Sequence, residues 1–149
     1  MKALTIWQPY SSLWAKGVKK YETRSWATSY RGPIAIHAAK RPVRKVIDSL
    51  GEQGAWDTLK TIESLFQLPG ELDQLPTGAI VGTANLVGCN LITEEFVAQL
   101  SPQELALGDF TIGRYAWEIT DRIVFDNPIQ AKGAQGFWNW EATNGKSNT

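Results

Sequence analysis

The chain has 149 residues, 43% apolar and 20% charged, with 15 basic and 15 acidic side chains that cancel formally at pH 7. That profile describes one soluble domain, able to bury roughly two thirds of its unfolded surface without disulfides or a structural metal. One cysteine, Cys89, and one histidine, His37, exclude an intrachain disulfide framework and a conventional zinc site of about four protein ligands.

The predicted elements follow from periodicity and turn signals. "LTIW" opens as a strand, and "QPYSSLWAKG" follows as a short helix with Pro9 in its first turn and Gly17 as its stop. "KYETRSW" is extended, so Lys20, Glu22 and Arg24 share one face and Tyr21 and Thr23 the other. In the strand "RGPIAIHAAK", Ile34, Ile36 and Ala38 face one way, Ala35 and His37 the other. Residues 42–67 read as helical with a break around Gly51 to Gly54, and Val43, Val46, Ile47 and Leu50 form their apolar stripe. "LPGELDQLP" reads as a loop. "GAIVGTANLVGC" and "YAWEITDRIVF" read as strands, separated by two short helices with Thr93 and Ser101 as N-caps. "PIQAKGAQGFWNW" reads as a further strand, a glycine-rich turn and an aromatic cluster. A single domain is expected over residues 1–141, with a disordered tail over 142–149.

No window approaches the roughly 20 apolar residues of a membrane span, and "MKALTIWQPY" lacks the apolar run of a signal peptide. A cytoplasmic setting is expected, with no membrane partner, no metal and no cofactor. The sequence sets no oligomeric state.

The neutral total hides a polarity. Residues 1–45 carry ten basic side chains against Glu22 alone, a balance of +9, while the remainder carries five basic and fourteen acidic, a balance of −9. A basic third of this kind points to an anionic partner such as a nucleotide or nucleic acid. Proteins that hold long nucleic acids through phosphates usually carry net positive charge, so the neutral total favours a short ligand. Mutual neutralisation of the two halves across the fold is the competing reading.

The strings "WQPYSSLWAKGVKKYETRSW", "RGPIAIHAAK", "LPTGAIVG", "GRYAWEI" and "KGAQGFW", in that order from about Leu4 to Trp138, resemble the ASCH family. Their most specific part is G-x-K-x-x-E-x-R at Gly17, Lys19, Glu22 and Arg24. The resemblance implies an α+β, PUA-like small β-barrel with helices covering its openings and a cleft beside the first helix. It also implies binding of RNA or a modified pyrimidine nucleoside. The family includes RNA-binding modules, nucleases and amidohydrolases that remove the acyl group from N(4)-acetylcytidine.

Within that resemblance, Lys19, Glu22 and Arg24 are the candidate catalytic residues. Deacylation of an exocyclic amine needs a nucleophile, a group that takes and returns a proton, and a partner for the developing oxyanion. The similar bacterial hydrolases have a threonine nucleophile where this chain has Glu22, so the expected chemistry here is a glutamate base activating water. Thr23 is expected to face away from the cleft. A structural ion-pair network among Lys20, Glu22 and Arg24 is the competing reading.

Trp7, Trp26, His37, Lys40 and Tyr115 are the candidate substrate-binding residues. Trp7 and Trp26 flank the charged string and suit base stacking, while Trp14, Trp56, Trp138 and Trp140 are expected to pack. Lys40, followed by Arg41, suits a phosphate. His37 is either a hydrogen-bonded core residue or part of the site. Tyr115 and Trp117 share a strand face that either closes the cleft or fills the core. Glu94, Glu95 and Glu118 stay open as a third catalytic group. Two functions follow: an amidohydrolase acting on N(4)-acetylcytidine-like nucleosides, or a non-catalytic RNA-binding module. A metal-independent ribonuclease using His37 with Lys19 or Glu22 is a weaker third.

Overall fold

The computed structural model describes residues 1–63 and 70–141. The tail expected over 142–149 lies outside them, as do residues 64–67 of the expected helical stretch and 68–69 of the expected loop. In chain order the elements are β1 (Lys2–Ile6), α1 (Tyr10–Lys16), β2 (Tyr21–Arg24), β3 (Gly32–Ala38), α2 (Val43–Asp48) and α3 (Gly51–Ile62). There follow α4 (Gly70–Asp73), β4 (Ala79–Leu91), α5 (Glu94–Ala98), α6 (Pro102–Ala106), β5 (Tyr115–Gln130) and β6 (Phe137–Asn139).

The strands form one curled six-stranded sheet in the order β2-β5-β4-β3-β1-β6. Only β1 and β3 run parallel, with Leu4 opposite Ile36 and Thr5 opposite His37. The result is an α+β half-barrel whose two edge strands, β2 and β6, do not pair with each other. Aromatic rings span the gap instead: Trp26, just past β2, meets Phe137 of β6 edge-on at 6.0 Å and Trp117 of β5 at 4.8 Å.

Alternation divides the sheet into its two faces. Leu4, Ile6, Ile34, Ile36, Leu86 and Trp117 bury inward around Trp14 of α1. On the outer face Ala3, Ala35 and Ile80 pack with Trp140. The expected facing of residues 34–38 therefore holds, with His37 on the outer side. A separate apolar cluster of Leu13, Val43, Ile47, Ile62, Leu72 and Leu107 ties α1 to α2, α3 and α6, covering one opening of the half-barrel.

Several expectations are corrected. The helical break falls at Ser49–Gly51, and α3 runs through Gly54. Leu50 leaves the apolar stripe and borders the cleft. Trp56 does not pack: it is 63% exposed on α3. The expected loop contains one helical turn, α4. "PIQ" is the end of β5 rather than a new strand, because register shifts against β4 absorb the polar segment before Pro128. Thr93 and Ser101 do cap their helices, accepting from the amides of Phe96 and Glu104 at 3.1 Å each.

Candidate functional site

The charged string acquires its shape at the end of α1. Gly17 ends the helix at φ +83°, a left-handed conformation that strains residues bearing a Cβ. Its amide bonds the carbonyl of Trp14, and the Lys19 amide bonds that of Leu13. This turn sends the Lys19 side chain inward, where it is 1% exposed. Its ammonium donates to the carbonyl of Tyr21 and lies 3.5 Å from Glu22 Oε1.

Glu22 is 8% exposed. Its second oxygen lies 3.3 Å from Arg24 Nη2, which also donates to the carbonyl of Thr5 at 2.8 Å. Arg24 Nε is buried without a partner among the described residues. Lys19, Glu22 and Arg24 thus form a line of alternating charge along β2, with Arg24 crossing the gap to β1.

Two adjoining cavities use this line as a wall. One, of about 810 Å³, lies under α2, α3 and the segment after α6 and reaches Lys19 and Glu22. The other, of about 380 Å³, extends along Arg24 to Trp26. Trp7, Tyr10, Glu22, Thr23 and Arg114 border both. Trp7 is 47% exposed, and the Arg41 guanidinium lies 4.8 Å from its ring centroid.

Thr23 therefore borders the cleft after all. Alternation still sets it apart, since Thr23 lies opposite Ala116 whereas Glu22 lies opposite Trp117. The strand is at the sheet's edge, so both residues reach the cavity rim.

The structure gathers Lys19, Glu22, Arg24, Trp7 and Trp26 at these cavities and leaves three candidates elsewhere. Tyr115 packs against the core opposite Arg24 and borders none of the described cavities. Trp117 is fully buried, so the pair fills the core rather than closing the cleft. Lys40 and His37 border a different cavity. His37 Nε2 bonds the carbonyl of Ala131 at 2.7 Å and Nδ1 lies 3.1 Å from Thr5 Oγ1, which accepts from Trp138 Nε1 at 2.9 Å. One neutral tautomer satisfies this chain: Trp138 donates to Thr5, Thr5 to Nδ1, and Nε2–H to Ala131. Burial holds the imidazole below its usual range, with the Ala131 bond opposing in part. His37 is thus a satisfied buried histidine on the outer face, away from Lys19 and Glu22.

Three contributors were not singled out from the sequence. Tyr10 opens α1 beside Glu22; burial, together with the Glu22 charge, raises its phenol above the usual value despite a bond to Thr58, so it remains a protonated donor at neutral pH. Arg114 donates to the carbonyl of Thr23 at 3.3 Å and pairs with Asp109 at 3.5 Å. Buried Glu104 accepts from the amides of Lys20 at 2.9 Å and Tyr21 at 3.1 Å, fixing the start of β2. The Ser101-x-x-Glu104 spacing signals a capping box, but the carboxylate is diverted to β2. Glu94 and Glu95 are exposed and border none of the described cavities, and neither does Glu118. Among the described residues no three of His, Cys, Asp and Glu converge as metal ligands, and no helix is long and apolar enough to cross a membrane.

The ASCH domain model matches residues 4–135, which covers the charged line, both cavities and every strand but β6 in at least part. The chain belongs to the ASCH domain family. ASCH domains fall in the PUA-like superfamily of RNA-binding folds. Curated relatives include activating signal cointegrator 1 of Homo sapiens and of Mus musculus, each 32% identical over 87 residues, or 58% of this chain. The chain spans 14% of the length of those relatives. Among solved structures, a ZmASCH point mutant from Zymomonas mobilis is similar with a TM-score of 0.47 and 18% identity, over 87% of this chain and 74% of that one.

Proposed function

We propose that this ASCH domain is an amidohydrolase that deacylates N(4)-acetylcytidine or a similar modified pyrimidine. The observation that carries this reading is a buried carboxylate, Glu22, held between Lys19 and Arg24 on a wall shared by two cavities. The two cations fix its position, and the cleft in front of it has room for a nucleoside.

In this mechanism Glu22 removes a proton from water as the water oxygen attacks the acyl carbonyl carbon. The carbonyl oxygen becomes an oxyanion, stabilised by the protonated Tyr10 phenol and the Arg24 guanidinium. The bond to the exocyclic nitrogen then breaks while Glu22 returns its proton to that nitrogen, giving the free amine and a carboxylic acid. Lys19 acts as a charge holder, because its ammonium is already committed to the Tyr21 carbonyl and Glu22. Trp7 and Trp26 supply the stacking surface.

The test is incubation of the protein with N(4)-acetylcytidine and chromatography for cytidine. Release is expected from the wild-type protein, with loss of most turnover in Glu22→Gln and nucleoside affinity held within a few-fold. Absence of release from the wild type refutes the reading.

One observation favours the non-catalytic RNA-binding alternative: Trp7 is exposed at the cleft mouth beneath Arg41, an arrangement that holds a base and a phosphate without chemistry. Tight RNA binding without cytidine release would select it. The ribonuclease reading loses support, since His37 borders neither cavity.

A further inference from the structure

A third cavity, about 880 Å³, lies on the other side of the end of β1 from the Glu22 cleft. Thr5 separates the two. Its carbonyl receives Arg24 on the cleft side, and its hydroxyl belongs to the His37 chain at the floor of the third cavity. The wall is the glycine-containing loop between β5 and β6. A Cβ on Gly133 would sit 2.5 Å from the His37 ring and 2.7 Å from Thr5 Oγ1, so only glycine lets this backbone close over the floor.

The cavity's charge is one-sided. Lys40 and Lys132 border it and no carboxylate does. Among the described residues neither lysine is paired with an acid. The Lys40 stem passes 3.7 Å from where a Cβ on Gly78 would stand, and the Gly78 carbonyl accepts from the Ala131 amide, which places Lys40 beside the strand end that leads to Lys132. His37 contributes no opposing charge, being neutral in its hydrogen-bond chain.

This cavity is continuous in sequence with the cleft mouth. Arg41 reaches back over Trp7, while the preceding residue, Lys40, borders the third cavity. Arg41, Lys40 and Lys132, none paired with an acid among the described residues, therefore run from the nucleobase cleft, around the end of β1, into a concavity of mixed polar and apolar lining.

We infer that the third cavity binds a phosphodiester of single-stranded RNA whose modified base occupies the Glu22 cleft, with Lys40 and Lys132 as the phosphate ligands and Arg41 bridging the two sites. The inference rests on the cleft being a nucleobase site and names its substrate class: a pyrimidine within RNA rather than a free nucleoside. Exposed cations along a concavity with no carboxylate suit a strand held by its backbone.

The test is binding of a short single-stranded RNA containing one N(4)-acetylcytidine, titrated across salt concentrations. Each phosphate neutralised on a single strand contributes about 0.7 to the slope of log affinity against log salt. Lys132→Ala is expected to lower the slope by about 0.7 and the Lys40→Ala/Lys132→Ala pair by about 1.4. Lys132→Arg, which keeps the charge, is expected to restore it, so a misfolded variant is told apart from a lost contact. An unchanged slope in the double variant overturns the inference. The readout is binding alone: failure to release cytidine from N(4)-acetylcytidine would refute the hydrolase and leave the salt result standing, whereas an unchanged slope would remove the RNA site and leave turnover standing.

Discussion

Glu104 provides the sharpest test of how the site is held. Both of its carboxylate oxygens accept backbone amides at the start of β2, from Lys20 at 2.9 Å and Tyr21 at 3.1 Å, while the residue itself is 3% exposed. Hydrogen bonds to a charged acceptor contribute about 1.5–3 kcal/mol each, and a buried donor left unpaired costs about 1–3 kcal/mol. The two amides belong to an exposed and a half-buried residue, so water recovers part of the loss in Glu104→Ala. About 3 kcal/mol is therefore expected, a large share of the 5–15 kcal/mol typical of a domain. Urea unfolding should show a lower midpoint with an unchanged slope. Glu104→Gln keeps one acceptor oxygen and should lose about half as much. Because Glu104 borders neither cavity, turnover per folded molecule should fall only through displacement of Lys19 and Glu22. A loss under 1 kcal/mol for Glu104→Ala would refute the claim that this carboxylate anchors the strand.

Under the proposed hydrolase mechanism, Tyr10→Phe should reduce kcat for N(4)-acetylcytidine about 10- to 100-fold with little change in KM, since that mechanism makes the phenol an oxyanion donor in the transition state; a change confined to KM would make Tyr10 a binding residue. Trp26→Ala should weaken RNA binding by about 1–3 kcal/mol; its edge-on contacts with Trp117 and Phe137 predict a parallel loss of stability, and unchanged affinity in a folded variant would return Trp26 to packing. His37 titrates in the unfolded chain at its ordinary 6.5 and lower in the fold, so the unfolded state binds more protons between those values. Its contribution to stability should be complete above about pH 6.5 and be lost progressively as pH falls through that window. Denaturant unfolding of wild type and His37→Gln across pH checks this, and parallel pH profiles would refute it.

Much of the fold could be read locally. The facing of Ile34 to Ala38, the caps at Thr93 and Ser101 and the stop at Gly17 are set by neighbours in sequence, and all three occur as read. The charged line was legible as a cluster, but its partners were not: Glu104 is more than 80 residues from Tyr21, and its spacing from Ser101 reads as a local cap. Tyr10 carried no chemical signal of its own, since only the fold places Glu22 and Thr58 beside it. His37 and Lys40 share a strand and its approaches with core residues, and strand alternation alone could not say which side of the sheet faced the cleft. Leu50 and Trp56 show the opposite limit: a helical stripe predicts burial only where something covers it.

The free edge of β2 gives the charged string a second meaning. An unpaired strand invites another chain to add to the sheet. Here Glu104 occupies the amides of Lys20 and Tyr21, Lys19 occupies the carbonyl of Tyr21, and Arg114 that of Thr23. Side chains thus stand where a seventh strand would lie, and the half-barrel stays open to a ligand while closed to its own kind. A substitution at Lys19 or Arg114 therefore acts twice, because a change in the lining of the cleft also unmasks backbone that can template self-association.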